Sequence, residues 1–157
     1  ILTIFTIICF PEMAENQYAY SQSTNSTGNA TGSGVDLINI HPSPSNVKAG
    51  SNFEVLATVV NNSPDTIMLP AGRCDSPLTA FFMRNVVIRQ DQFQGCTATS
   101  SPFELNQGEE VTVAGPVPGT IYQAIKAGKT PATATVYYLT ENRQPGNVTK
   151  PFVFTIG

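Results

Sequence analysis

From Val35 onward, apolar and polar residues alternate with a period of two, in short runs cut by Pro, Gly and Asn. No stretch sustains the 3.6-residue period of a helix, so the pattern predicts strands and turns. The clearest run is Phe53-Glu54-Val55-Leu56-Ala57-Thr58-Val59-Val60. Phe53, Val55, Ala57 and Val59 fall on one face of it and form an inward row, because successive side chains on a strand point to opposite sides. Residues 35–40 predict an opening strand, ended by the turn His41-Pro42-Ser43-Pro44. Asn61-Asn62-Ser63-Pro64-Asp65 turns the chain into a run at 66–69, which Pro70-Ala71-Gly72 breaks. Extended runs follow at 78–83 and 86–88, on either side of Arg84-Asn85, and then at 103–105 and 109–114, the last with Val111 and Val113 inward. Residues 121–125 read as a short strand or a helical turn, and 132–139 with 152–156 as a closing hairpin rich in β-branched and aromatic residues. Such a series predicts an all-β fold, a two-sheet antiparallel sandwich of about seven to nine strands over residues 35–157. The row from Phe53 to Val59 is then expected to face Val111, Val113, Ala134, Val136, Phe152 or Phe154 across a dry core.

The first residues carry a different pattern. Ile1 to Phe10 is almost unbroken apolar, Pro11 and Glu12 stop it, and Ala19-Tyr20-Ser21 places small residues ahead of Gln22 as a signal peptidase requires. Residues 1–21 therefore read as a signal peptide, truncated at its start because the sequence opens at Ile1 with neither Met nor a basic segment. The expected location is secreted or at the extracellular cell surface. An apolar run of about ten residues is too short to span a bilayer, which takes roughly twenty. An upstream extension would make it a retained anchor instead, and a buried strand is the third reading. Membrane insertion of the mature domain is not expected. Residues 22–34 hold only Gln, Ser, Thr, Asn, Gly and Ala, too little apolar surface to offset the entropy of ordering, and predict a flexible linker. Asn25 and Asn29 in that linker, with Asn61 and Asn147 beyond it, head Asn-x-Ser/Thr triplets and are candidate glycosylation sites.

Charge and cysteines narrow the function classes. Eleven acids and eight bases give −3; Glu12 and Glu15 leave with the leader, so nine acids face eight bases in the mature chain. The bases stand singly along the sequence, which predicts no footprint for nucleic acid or anionic lipid. Cys9 lies in the leader, and Cys74 and Cys96 are the remaining thiols. In an oxidising compartment two lone cysteines pair most simply as a disulfide, worth about 3 kcal/mol for a loop of roughly twenty residues.

Val47-Lys48-Ala49-Gly50-Ser51-Asn52-Phe53, running into Ala57-Thr58-Val59-Val60-Asn61-Asn62, resembles the opening of prokaryotic secreted Ig-like surface domains, in particular the cell-adhesion-related class of archaea and bacteria. Leu105-Asn106-Gln107-Gly108-Glu109, leading into Val111-Thr112-Val113, is similar to the Leu-x-x-Gly-Glu approach to a middle strand of that class. More weakly, it resembles the Ig-like intracellular proteinase inhibitor of bacilli. The resemblance covers most of residues 35–157 and implies an Ig-like sandwich with a non-enzymatic role. The chain departs from antibody-type domains in having no Trp and in placing Cys74 after the early strands.

Candidate chemistry is sparse. A nucleophilic triad needs a base, most often His, and His41 is the sole histidine. A cupredoxin-type copper centre needs two, so Met68 and Met83 read as packing residues. Calcium needs clustered oxygens; Asp65 and Asp75 are the first pair to consider among well-separated acids. Adjacent Glu109 and Glu110 point to opposite faces of a strand and cannot form a glycosidase pair, and Tyr137 and Tyr138 split in the same way. No catalytic residue, metal site or cofactor is expected. The segment between the two cysteines carries Arg89, Asp91, Gln92, Phe93 and Gln94, an aromatic on a polar tip, and is the candidate binding loop. The expected partner is an extracellular protein or an envelope polymer, in adhesion or envelope structure. The alternative function is proteinase inhibition by the loop before Cys96.

Overall fold

Strand pairing in the computed structural model, which describes residues 34–70, 75–91 and 102–157, is organised around one strand in each sheet. The elements are β1 (Val35–Ser43), β2 (Asn52–Asn61), β3 (Ile67–Leu69), β4 (Leu78–Phe82), β5 (Val86–Gln90), β6 (Phe103–Leu105), β7 (Glu110–Gly115), β8 (Thr120–Ala124), β9 (Gly128–Thr140) and β10 (Pro145–Ile156). In the first sheet β2 pairs with β1 on one side. On its other side its upper half pairs with β7 and its lower end with β8, and β8 carries β5. In the second sheet β9 pairs with β10 on one side. On its other side β4 and β3 follow each other, and β3 carries β6. Every pairing is antiparallel and the described residues contain no helix.

Ten strands stand where about seven to nine were expected. The excess arises because β7 and β8 share one flank of β2, and β3 and β4 share one flank of β9. Residues 121–124 resolve as part of a strand, β8, and Ile125 lies past its end. His41 is not in a turn: β1 continues through Pro42 to Ser43, with an irregularity between Ile38 and His41 at Asn39, whose φ is +52°. The hairpin is longer than its apolar pattern suggested, reaching back to Gly128 and forward from Pro145. Gly34, expected at the end of the linker, is already held in the fold. Its carbonyl accepts from Asn62 N (2.5 Å), and at φ +67° a side chain there would strike Ser63.

Phe53, Val55, Ala57 and Val59 are buried, as the alternation required. Ala134, Val136 and Phe154 face them from the second sheet, whereas Val111 and Val113 are β2's neighbours within its own sheet, paired with Val59 and Ala57. At the centre, the Phe53 ring lies 5.6 Å from Phe82 and 5.5 Å from Phe154, and Phe82 meets Tyr122 edge-on at 4.9 Å. Edge-to-face rings at this spacing add to the energy of burial. The Tyr122 hydroxyl oxygen accepts from Ala80 N at 2.8 Å, tying β8 of one sheet to β4 of the other. Burial pushes its hydroxyl above a tyrosine's ordinary value, while the Ala80 hydrogen bond pulls the other way.

Two outcomes follow for stability. Phe154→Ala should cost about 3–5 kcal/mol in urea unfolding, because the ring fills the space between Phe53 and Phe82. Tyr122→Phe should cost about 1–3 kcal/mol near neutrality by leaving the Ala80 N–H without its acceptor. Since the folded-state value of Tyr122 is raised, its stabilisation is full below a tyrosine's unfolded value near 10 and is lost as pH rises through the folded value. The difference in stability between wild type and Tyr122→Phe should therefore shrink as pH rises beyond about 10; a constant gap would refute the assignment.

Candidate binding surfaces

Asn61, a sequon position, ends β2 inside the protein. It is fully buried, and its Nδ2 donates to Asp65 O (2.9 Å) and Leu105 O (2.8 Å). Its Oδ1 accepts from Ser63 N (3.0 Å) and Ser63 Oγ (2.6 Å). Such a side chain stitches the turn after β2 to β6 of the opposite sheet. Its amide nitrogen is buried in this fold and both hydrogen bonds it donates are to backbone carbonyls. Asn147 lies exposed on β10, directly opposite Tyr137. Asn25 and Asn29 lie outside the described residues, as do the expected signal peptide at 1–21 and nearly all of the expected linker at 22–34.

The candidate loop is described only at its start. Arg89 is exposed on β5, and Asp91, just past the strand end, donates its backbone N–H to Gly119 O (2.8 Å). Gln92, Phe93, Gln94, Cys74 and Cys96 lie outside the described residues. Asp65 sits in the turn after β2, and Asp75 lines an apolar groove of about 400 Å³ together with Leu69, Pro77, Phe103 and Val113. Among the described residues no three His, Cys, Asp or Glu gather as a metal site would require. His41 is exposed on β1, with Nδ1 2.7 Å from Asn39 O. Glu109 lies just before β7 and its Oε2 accepts from Asn106 N (2.7 Å), a bond within one turn.

The outward face of β4, β9 and β10 escaped the sequence reading as a surface. Register places Phe81 beside Thr133 and Pro151, Thr79 beside Thr135 and Thr149, and Tyr137 beside Asn147. Thr135 and Thr149 hydroxyls meet at 2.9 Å. Phe81 is 67% exposed, and Tyr137 and Val153 are each 53% exposed. From Pro131 to Leu139 on β9, and across the facing positions of β10, the outward row holds Pro, Thr, Tyr, Leu, Asn and Val, and no charge. An ordinary solvent face would carry Lys and Glu. The signal was present in the sequence, in the outward half of the Thr133–Leu139 alternation, once the inward half is known.

No family model and no curated protein matches the chain. Function must be argued from the surfaces themselves.

The two sequons within the described residues should behave oppositely. Asn61→Ala should destabilise by about 2–4 kcal/mol, since two carbonyls and the Ser63 N–H lose their buried partner. Asn147→Ala should stay within about 0.5 kcal/mol, as exposed substitutions do. Chemical denaturation of both variants checks this, and an Asn61→Ala as stable as wild type would contradict the stitching role.

Proposed function

We propose that this chain is a secreted or cell-surface Ig-like domain without enzymatic activity, whose work is binding an extracellular protein or envelope polymer in adhesion or envelope structure. The observation that carries the reading is the uncharged, outward face bearing Phe81, Tyr137 and Val153. Exposed apolar side chains grouped on one face mark interaction sites more often than idle surface. Flat aromatic-and-hydroxyl faces suit this role, since rings supply contact area at small entropic cost and hydroxyls adapt their hydrogen bonds. Supporting it further, the buried polar side chains Asn61 and Thr130 and the Tyr122 hydroxyl are engaged in hydrogen bonds that hold the fold. The leader and the opening motif around Val47-Lys48-Ala49-Gly50 agree with a surface domain of Ig-like type.

The test is binding of the full chain to envelope isolated from cells that secrete it. A Phe81→Asp, Tyr137→Asp double variant should lose at least tenfold in affinity, with its melting temperature unchanged because both rings are already in solvent. Retained affinity would discard the face. Protease inhibition that disappears when residues 92–94 are replaced would favour the inhibitor reading instead.

A further inference from the structure

Turns from both sheets meet at the end of the sandwich farthest from Asn61. Gly50 N donates to Ala124 O (2.7 Å), and Ile125 N donates to Asn85 O (2.8 Å). Arg84 Nε donates to Lys129 O (3.1 Å), and Asn85 Nδ2 donates to Lys129 O (3.3 Å) and Thr130 Oγ1 (3.1 Å). Residues 48–51, 83–85 and 125–129 therefore form one braced end. Asn85 holds φ +66°, a left-handed conformation that Asn tolerates better than most residues. Its side chain spans the β4–β5 turn and the start of β9.

Two features of this end belong together. Met83 and Ile125 stand at the tips of adjacent turns, 73% and 54% exposed. Each is followed directly by a base, Arg84 and Lys126, and Lys48 and Lys129 are exposed at the same end. The turns 44–51, 83–85 and 125–128 contain no acidic side chain. At the opposite end, by contrast, Asp65, Glu109, Glu110 and Glu141 are exposed, with Arg143 as the base among them. Bases that stand singly in the sequence are thus gathered by the fold at one end.

We propose that this end is a docking surface for a bilayer containing anionic lipid, with Met83 and Ile125 entering the interface and Lys48, Arg84, Lys126 and Lys129 meeting the headgroups. The attachment is peripheral and no strand crosses the membrane. An anionic bilayer supplies both things this end lacks, countercharge for the bases and cover for two apolar tips. A second copy of the chain offers the two only on separate faces, since its outward face of β4, β9 and β10 has apolar side chains but no acidic charge. Its acidic end, turns 61–66, 106–109 and 140–145, has countercharge but no large apolar side chain among them. A polyanionic polymer fails on the same ground. The inference uses side chains other than Phe81 and Tyr137, so it stands or falls apart from the proposed function.

The chain has no Trp, so one introduced indole reports its own surroundings. Ile125→Trp at the basic end and Asn142→Trp at the acidic end are compared in the full chain, with phosphatidylcholine vesicles with and without phosphatidylglycerol. With phosphatidylglycerol, Ile125→Trp emission should shift to the blue and become shielded from acrylamide, while Asn142→Trp stays unchanged. Adding Lys126→Gln and Lys129→Gln should lower vesicle affinity roughly thirty-fold, at about 1 kcal/mol for each base near an anionic surface. Three results would overturn the proposal. One is no shift; another is an equal shift with neutral vesicles, or at Asn142→Trp, which would assign binding to the apolar residues 1–10. The third is a shift without lipid that grows with protein concentration, which would assign the end to contact between copies.

Discussion

Tyr122 reaches from β8 across the interior to accept the Ala80 N–H, and the placement of the two sheets depends on that contact. Hydrogen-bond ladders fix strands within a sheet but say nothing about how one sheet lies on the other. That relation is left to side chains, and apolar packing alone tolerates sliding and repacking before it loses stability. A buried hydrogen bond is less forgiving. The Ala80 N–H points away from β9, and without an acceptor it would be a buried donor with no partner. Only one alignment of the sheets puts a hydroxyl there. Around it, Phe53, Phe82 and Phe154 fill the space that the alignment leaves. Asn61 repeats the device near the other end by reaching from β2 to the Leu105 carbonyl of β6.

With the sheets fixed, the open edges become the next constraint, because an unpaired strand edge invites other chains. Beyond β10 there is no further strand among the described residues, and β10 carries Pro145, Pro151 and an inward Lys150. The Lys150 ammonium donates to Asp36 Oδ1 (3.1 Å) and Leu37 O (2.8 Å), so it also covers the neighbouring edge strand β1. Both partners of the ion pair are nearly half exposed, and its Coulomb energy is small. Its larger effect is to occupy a carbonyl of β1 that another strand could otherwise use. The bend at Asn39 and Pro42 finish the blunting of that edge.

Much of this was legible where local pattern and tertiary role coincide. The Phe53–Val59 row is half-buried in the pattern and buried in the fold. Phe103–Leu105 was found residue for residue, although it is three residues long. Pro-containing stretches were misread because a strand's tolerance of Pro depends on its neighbours. Pro131 sits within β9, where its carbonyl accepts from Met83 N at the very end of β4, so the absent N–H faces a place where no strand continues. Gly146 and Pro145 look like turn residues, but the Tyr138 ring lies over Gly146 so closely that a Cβ there would collide with it. Nor could the sequence show that β4 and β5, separated by one turn, belong to different sheets. The basic end depends on that crossing, so scattered Lys and Arg gave no sign of it.

Two asparagines make the general point about reading motifs. Asn61 stands in a triplet associated with glycans, and Asn85 in no motif at all. Each brings two turns together through hydrogen bonds from its side-chain amide. At the acidic end, Asn61 does so from full burial, satisfying the buried Leu105 carbonyl and, nearer the surface, that of Asp65. At the basic end, Asn85 does so half-exposed, and the backbone it braces holds Met83 and Ile125 outward. Free turns would fold such side chains back onto the nearest apolar surface, since exposure costs roughly 25 cal/mol per Å². A rigid turn removes that option. Exposure of those two side chains therefore follows from the bracing, and a fixed pair of apolar tips beside fixed charges is a surface already arranged for a partner, with little ordering entropy left to lose on binding.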